Sequence, residues 1–152
     1  MEDFRHTNRL VAGFHVTKPS AIITYASAAL RGTVHIALTV AALNNFQVKT
    51  ADTQKSYIQV PVAEKIWTVL DPELGPDDGK SAVVVIYLYG LKRAGASFWN
   101  HLVYCMKHRE YMPCPAGPDL WMNPMVRLSG ETEYYAYIII YVDDILCIHH
   151  DA

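Results

Sequence analysis

An α+β layer fold, with helices packed on one face of a mainly antiparallel sheet, is what this 152-residue sequence predicts. Three stretches carry that prediction. The β-branched run Ala82-Val83-Val84-Val85-Ile86-Tyr87-Leu88 reads as a strand, and its continuity predicts burial on both faces. Between residues 27 and 46, Ala29, Leu30, Val34, Ile36, Ala37, Leu38, Val40, Ala41 and Leu43 recur at helical spacing around much of a circumference, which predicts a core-packing helix. Apolar residues 136–140 and 145–148 flank Tyr141-Val142-Asp143-Asp144, the pattern of a hairpin with two carboxylates at its tip.

Composition bounds the rest. With 51% hydrophobic and 18% charged residues, the chain can bury the core of one domain spanning residues 1–152. A net charge of −2 supplies no global basic field, which argues against a complete nucleic-acid-binding protein but not against a fragment of one. Cys105, Cys114 and Cys147 have no CxxC spacing and leave an odd thiol, so neither a disulfide framework nor a structural zinc site is indicated. No signal-peptide layout is present, and the apolar runs break well short of the ~20 residues a membrane span needs. An intracellular protein with no membrane partner is expected.

In chain order, residues 9–14 (Arg-Leu-Val-Ala-Gly-Phe) form a short apolar run that predicts a strand ending at Gly13, and Pro19-Ser20 marks a loop. The helix of residues 27–46 closes at Asn44-Asn45. Residues 48–52 read as a strand ending on Asp52, where an Asp is either a cap or turn residue or a metal ligand at a strand's carboxyl end. Residues 61–69 are apolar and interrupted. Residues 70–80, dense in Pro, Gly and Asp, form a surface loop whose Asp77-Asp78-Gly79 is a solvated turn.

After the strand of residues 82–88 comes Tyr89-Gly90-Leu91-Lys92-Arg93. Its glycine lets backbone approach a partner closely, and its two cations either bind something or solvate the start of a helix. That helix is predicted over residues 96–109, with Phe98, Leu102, Val103, Cys105 and Met106 inward. A Pro-rich connection spans 111–118, a short strand 119–122 and a polar turn 127–133. The hairpin over 134–150 completes the order. Within it, Asp143-Asp144 is by itself an ordinary acidic turn, and His149-His150 is a poor metal pair because adjacent strand residues point to opposite faces.

Taken together, Tyr141-Val142-Asp143-Asp144 in an apolar hairpin, Tyr89-Gly90-Leu91-Lys92 followed by Ala-Gly-Ala-Ser-Phe-Trp, and Asp52 with Tyr57 five residues on resemble the reverse transcriptases of copia-type LTR retrotransposons. Arg9-Leu10-Val11-Ala12 and the alanine-rich helix are similar to that family's opening, so the resemblance runs from about Arg9 to Asp151. Thr7 and Asn8 stand where the family usually carries a lysine, and Arg93-Ala94-Gly95 where Gln-Ala-Pro is common.

The resemblance implies a polymerase palm-type antiparallel sheet with partial fingers and no thumb. It implies an RNA-directed DNA polymerase that transfers a nucleotide from a dNTP to a primer 3′ hydroxyl on an RNA or DNA template. Two Mg²⁺ ions, or Mn²⁺ in their place, would be held by Asp52, Asp143 and Asp144 with the Thr53 carbonyl, because hard cations want oxygen ligands and two of them stabilise both the attacking and the leaving oxygen. Tyr57 would lie beneath the incoming sugar. Tyr89, Gly90 and Lys92 would line the nucleotide pocket, Arg9 would grip the triphosphate, and Tyr141 and Val142 would sit near the primer end. Thumb and RNase H regions of a longer polyprotein are implied partners, and a cytoplasmic retrotransposon particle or the nucleus the location. Without a thumb the expected activity is weak. The alternatives are a non-catalytic remnant or binding module of the same fold, and a two-metal nuclease for which Tyr57 and Tyr89-Gly90 would have no evident purpose.

Overall fold

The computed structural model describes residues 11–12, 29–127 and 132–150. Helix α1 (Arg31–Leu43) leads into strand β1 (Gln47–Asp52), a 3₁₀ turn at Ser56–Gln59, and strands β2 (Pro61–Val69) and β3 (Ser81–Ile86). Helix α2 (Ala94–His108) follows, then β4 (Met112–Pro113), β5 (Leu120–Val126), β6 (Glu133–Tyr141) and β7 (Asp144–His149). The mixed α+β class predicted from the sequence is the class observed.

Five strands form one antiparallel sheet in the order β1-β7-β6-β5-β4, while β2 and β3 form a separate two-stranded sheet. The central strand β6 carries Ile138-Ile139-Ile140 without alternation, so both of its faces are apolar and both need cover. Helix α2 covers one face, where Phe98 and Leu102 pack with Ile138, Ile140 and Trp121. On the other side α1 packs Ala37 and Ala41 against Ile139 and Ile148.

That arrangement corrects the expectation of helices on a single face. The physical cause lies in β6 itself: three consecutive isoleucines point alternately to opposite sides, so a one-sided layer would leave Ile139 in water.

Two further expectations change. The apolar circumference of α1 is not all core. Ala37 and Ala41 are its buried residues, whereas Ile36 and Leu43 are 69% and 79% exposed. Small side chains allow close contact with the sheet, Val34 packs beside them, and Ile36 and Leu43 face outward. Nor is β3 buried on both faces, since in its two-stranded sheet Val85 is 70% exposed and Trp67 of β2 is 65% exposed. A β-branched run reports apolar surface; how many layers cover that surface is decided by distant parts of the chain.

The predicted turns fit better. Asn45, with φ +54°, follows α1 as a left-handed helix terminus. Asp77 lies in the loop between β2 and β3 and meets Lys80 at 2.7 Å, both side chains being largely in water. The predicted strand at 9–14 falls mostly outside the described residues. Within them, Val11 forms a parallel bridge to Tyr89, and the Ala12 N–H donates to the Tyr89 carbonyl at 2.7 Å.

Candidate active site

The end of β1 lies against the tip of the β6–β7 hairpin. Six register pairs join β1 to β7, from Gln47 with His149 to Asp52 with Asp144. Because the pairing runs to the last residue of each strand, Asp52, 91 positions earlier in the chain than Asp143, reaches the tip. The Thr53 N–H continues the connection by donating to the Asp143 carbonyl at 2.9 Å. Asp52, Thr53, Asp143 and Asp144 thus share one corner of the sheet.

Asp52 and Asp144 share a face of the sheet. Residues directly opposed in an antiparallel pair have Cβ atoms ~4.5–5.5 Å apart on the same face. Asp144 lies two residues before Leu146, so Asp144 and Asp52 share the face that Leu146 and Ile148 turn toward α1. There they border a cleft of about 390 Å³ with Val34, Thr50, Ile139 and Tyr141. Asp52, Tyr141 and Asp144 are exposed.

Burial first, then the charge of Asp143, then Tyr89, push the Tyr57 phenol above its ordinary range, which puts the Asp143 carboxylate in electrostatic reach of Tyr57. The Tyr57 ring rests against Tyr89 at a centroid distance of 5.0 Å and meets Phe98 of α2 edge-on at 5.9 Å. Two of the predicted pocket residues are therefore in contact, beside the hairpin tip. Among the described residues no group of three or more His, Cys, Asp or Glu side chains is gathered closely enough to hold a metal ion.

Gly90 has a more specific role than general permissiveness. Its φ is +87°, and a Cβ there would stand 2.0 Å from the Ala12 carbonyl oxygen. The close partner is thus the chain's own segment Val11–Ala12, seated on Tyr89-Gly90. Arg93 meets Glu64 of β2 at 3.4 Å, with the carboxylate about half exposed. Lys92 is partly buried at the same helix start. Arg9 lies outside the described residues. His149 accepts or donates a 3.1 Å hydrogen bond with the Tyr134 hydroxyl, a contact within the sheet.

One residue near the hairpin was not singled out from the sequence. Asp119 is 6% exposed, its carbonyl accepts the Ile140 N–H at 3.0 Å, and its Oδ1 has no hydrogen-bond partner. Burial raises its carboxyl above the ordinary value of 3.8. Nothing in Gly117-Pro118-Asp119 separates a buried carboxyl from an exposed turn Asp. Its burial depends on β6, which arrives later in the chain.

No family model, curated protein or solved structure matches this chain.

Proposed function

We propose that this chain is the fingers-palm portion of a copia-like RNA-directed DNA polymerase, which adds deoxynucleotides to a primer 3′ hydroxyl on an RNA or DNA template. The observation that carries the proposal is the junction of β1 with the hairpin tip. It brings Asp52 opposite Asp144 and the Thr53 amide onto the Asp143 carbonyl. An acidic turn with no chemistry would need neither a second strand ending in Asp beside it nor an aromatic pair next to that.

Asp52, Asp143, Asp144 and the Thr53 carbonyl would offer a hard divalent cation the oxygen ligands it takes, with Asp52 and Asp144 directly opposed and the three carboxylates not gathered into one group here. Bound Mg²⁺ or Mn²⁺ would supply charge stabilisation for the attacking and leaving oxygens of phosphoryl transfer. The remaining roles belong to the protein. Tyr57, held between Tyr89 and Phe98, gives a fixed aromatic surface on which a sugar can rest. Its phenol, raised by burial and by Asp143, stays a neutral donor across the physiological range. Gly90 holds Val11–Ala12 against Tyr89, and so steadies the wall behind Tyr57. Exposed Tyr141 at the end of β6 is free to meet a primer strand. Lys92 and Arg9 are assigned to the nucleotide. The polyprotein's thumb and RNase H regions are assigned as partners, and a cytoplasmic particle or the nucleus as the location.

Among the described residues no three acidic side chains are gathered closely enough to hold a metal ion, which favours one alternative, a remnant that keeps the fold without turnover. Single-nucleotide addition to a template-primer in Mg²⁺ or Mn²⁺, together with Mn²⁺ binding by the same preparation, decides between them. Addition and binding that both disappear in Asp52→Asn and Asp143→Asn support the polymerase. Absence of carboxylate-dependent Mn²⁺ binding and of any addition supports the remnant.

A further inference from the structure

The two-stranded sheet of β2 and β3 has two chemically distinct faces. On the inner one, Ile66 and Val84 are register partners that pack against the core of Phe98 and Leu102. Directly opposed residues share a face and successive residues alternate, so Trp67 and its partner Val83 point the other way, with Val69 and Val85 two residues on from each. All four are in water: Trp67 is 65% exposed, Val69 61%, Val83 42% and Val85 70%. They adjoin across two strands, whereas the exposed Ile36 and Leu43 of α1 stand about two helical turns apart.

Those exposures amount to roughly 350–450 Å² of contiguous apolar surface, the size at which a patch marks an interaction site. A stable interface buries ~800 Å² on each partner, a little over half of it apolar. The outer face of β2 and β3 therefore supplies most of the apolar area that one side of a dimer needs.

Charge decides what can cover it. The loop at one end of the hairpin carries Asp71, Glu73, Asp77 and Asp78 against Lys80 alone, while exposed Lys65 stands on β2 two residues before Trp67, away from that loop. Carboxylates beside the patch repel a phosphate backbone or an anionic membrane. A second copy of the same face meets no such objection. A two-fold axis running across the strands makes the facing hairpins antiparallel and brings each Lys65 toward the acidic loop of the other copy. An axis along the strands would stack the two acidic loops, so charge selects the first arrangement.

We infer that the outer face of β2 and β3 is a self-association surface, through which two copies of this chain pack sheet on sheet with Trp67 at the centre. Tryptophan is the residue type most often found at the energetic centre of an interface. The inference does not depend on the polymerase reading and stands or falls apart from it.

Sedimentation velocity of the whole chain from about 1 to 100 μM tests it, with circular dichroism melting to check that each variant folds. A concentration-dependent rise from 17.1 kDa to twice that mass is expected. Trp67→Ala should weaken dimerisation by about 30-fold or more, the loss of a central anchor. Lys65→Glu should weaken it about three- to tenfold at low salt and less in concentrated salt. Ile36→Lys, on the comparably exposed face of α1, should dimerise like the native chain. Should Trp67→Ala melt well below the native chain, Val85→Lys gives the same reading at a position that is 70% exposed. A native chain that stays at 17.1 kDa throughout overturns the inference, as does a dimer that survives Trp67→Ala or is lost in Ile36→Lys. A monomer that instead binds phosphatidylserine vesicles or single-stranded RNA through Trp67 assigns the face to that occupant and equally overturns it.

Discussion

Alanine at position 90 gives the sharpest test of how Val11–Ala12 meets Tyr89-Gly90. Gly90 has φ +87°, and an added Cβ would stand 2.0 Å from the Ala12 carbonyl oxygen and 3.1 Å from a Val11 side-chain carbon. Two costs follow. An L-residue in left-handed backbone costs ~1–2 kcal/mol. The overlap also forces Val11–Ala12 away, which forfeits the Ala12 to Tyr89 hydrogen bond, worth ~0.5–1.5 kcal/mol. Gly90→Ala should therefore destabilise the fold by roughly 1.5–3.5 kcal/mol, a fall in Tm of about 3–14 °C for a domain of this size. Gly79→Ala is the control, since Gly79 has φ +72° and a Cβ added there would meet nothing within 4 Å. It should show the backbone cost alone. Urea unfolding of both variants gives the comparison, and faster hydrogen exchange at the Ala12 amide in Gly90→Ala locates the difference. If Gly90→Ala is no less stable than Gly79→Ala, Val11–Ala12 does not sit on Gly90 as described.

Asp52 and Asp144 are directly opposed like charges, which disfavours the pairing by a few tenths of a kcal/mol up to ~1. Asp144→Asn should accordingly raise stability by that amount at low ionic strength, and an equal gain in concentrated salt would contradict the electrostatic cause. Asp119 gives a pH-dependent prediction. Its folded pKa is raised by burial, so the stability it contributes is fully present below its ordinary value of 3.8 and is lost as pH rises through the folded value. Asp119→Asn should then be more stable than the native chain at neutral pH, with the advantage shrinking as pH falls toward 4, and a pH-independent difference in urea midpoints would count against burial as the cause. Tyr57→Ala removes ring contacts with Tyr89 and Phe98, and should cost ~1–3 kcal/mol because the ring is only partly buried. In the nucleotide-addition assay the same variant should accept ribonucleotides more readily relative to deoxynucleotides, and unchanged sugar preference would remove Tyr57 from the pocket.

Where apolar period and turn chemistry act locally, the sequence was a good guide. The hairpin predicted over 134–150 is β6 and β7, and the strand predicted over 48–52 is β1 with one residue added. Helix α2 begins two residues before its predicted start, with Phe98 and Leu102 inward as expected. Where covering layers had to be counted, it was not. The run Val83-Val84-Val85 looks the same whether one face or two are covered, and in the fold it belongs to a two-stranded sheet whose outer side is open. The side occupied by each helix likewise followed from Ile139 and Ile140 taking opposite faces of β6.

At the candidate site the division is just as physical. Residue identity alone determined that Asp143 and Asp144 would stand at a hairpin tip, that Asp52 would end a strand and that Tyr89-Gly90 would allow a close approach, because each depends on neighbours within a few positions. Tertiary structure alone decided that β1 pairs with β7, which brings Asp52 to Asp144 rather than leaving it at a distant strand end. It also decided that Gly90 admits Val11–Ala12, that the Tyr57 ring lies tilted against Tyr89, and that Asp52 and Asp144 share the face turned toward α1. Strand register is set by burying a whole sheet face at once, and no local stretch of sequence contains that constraint.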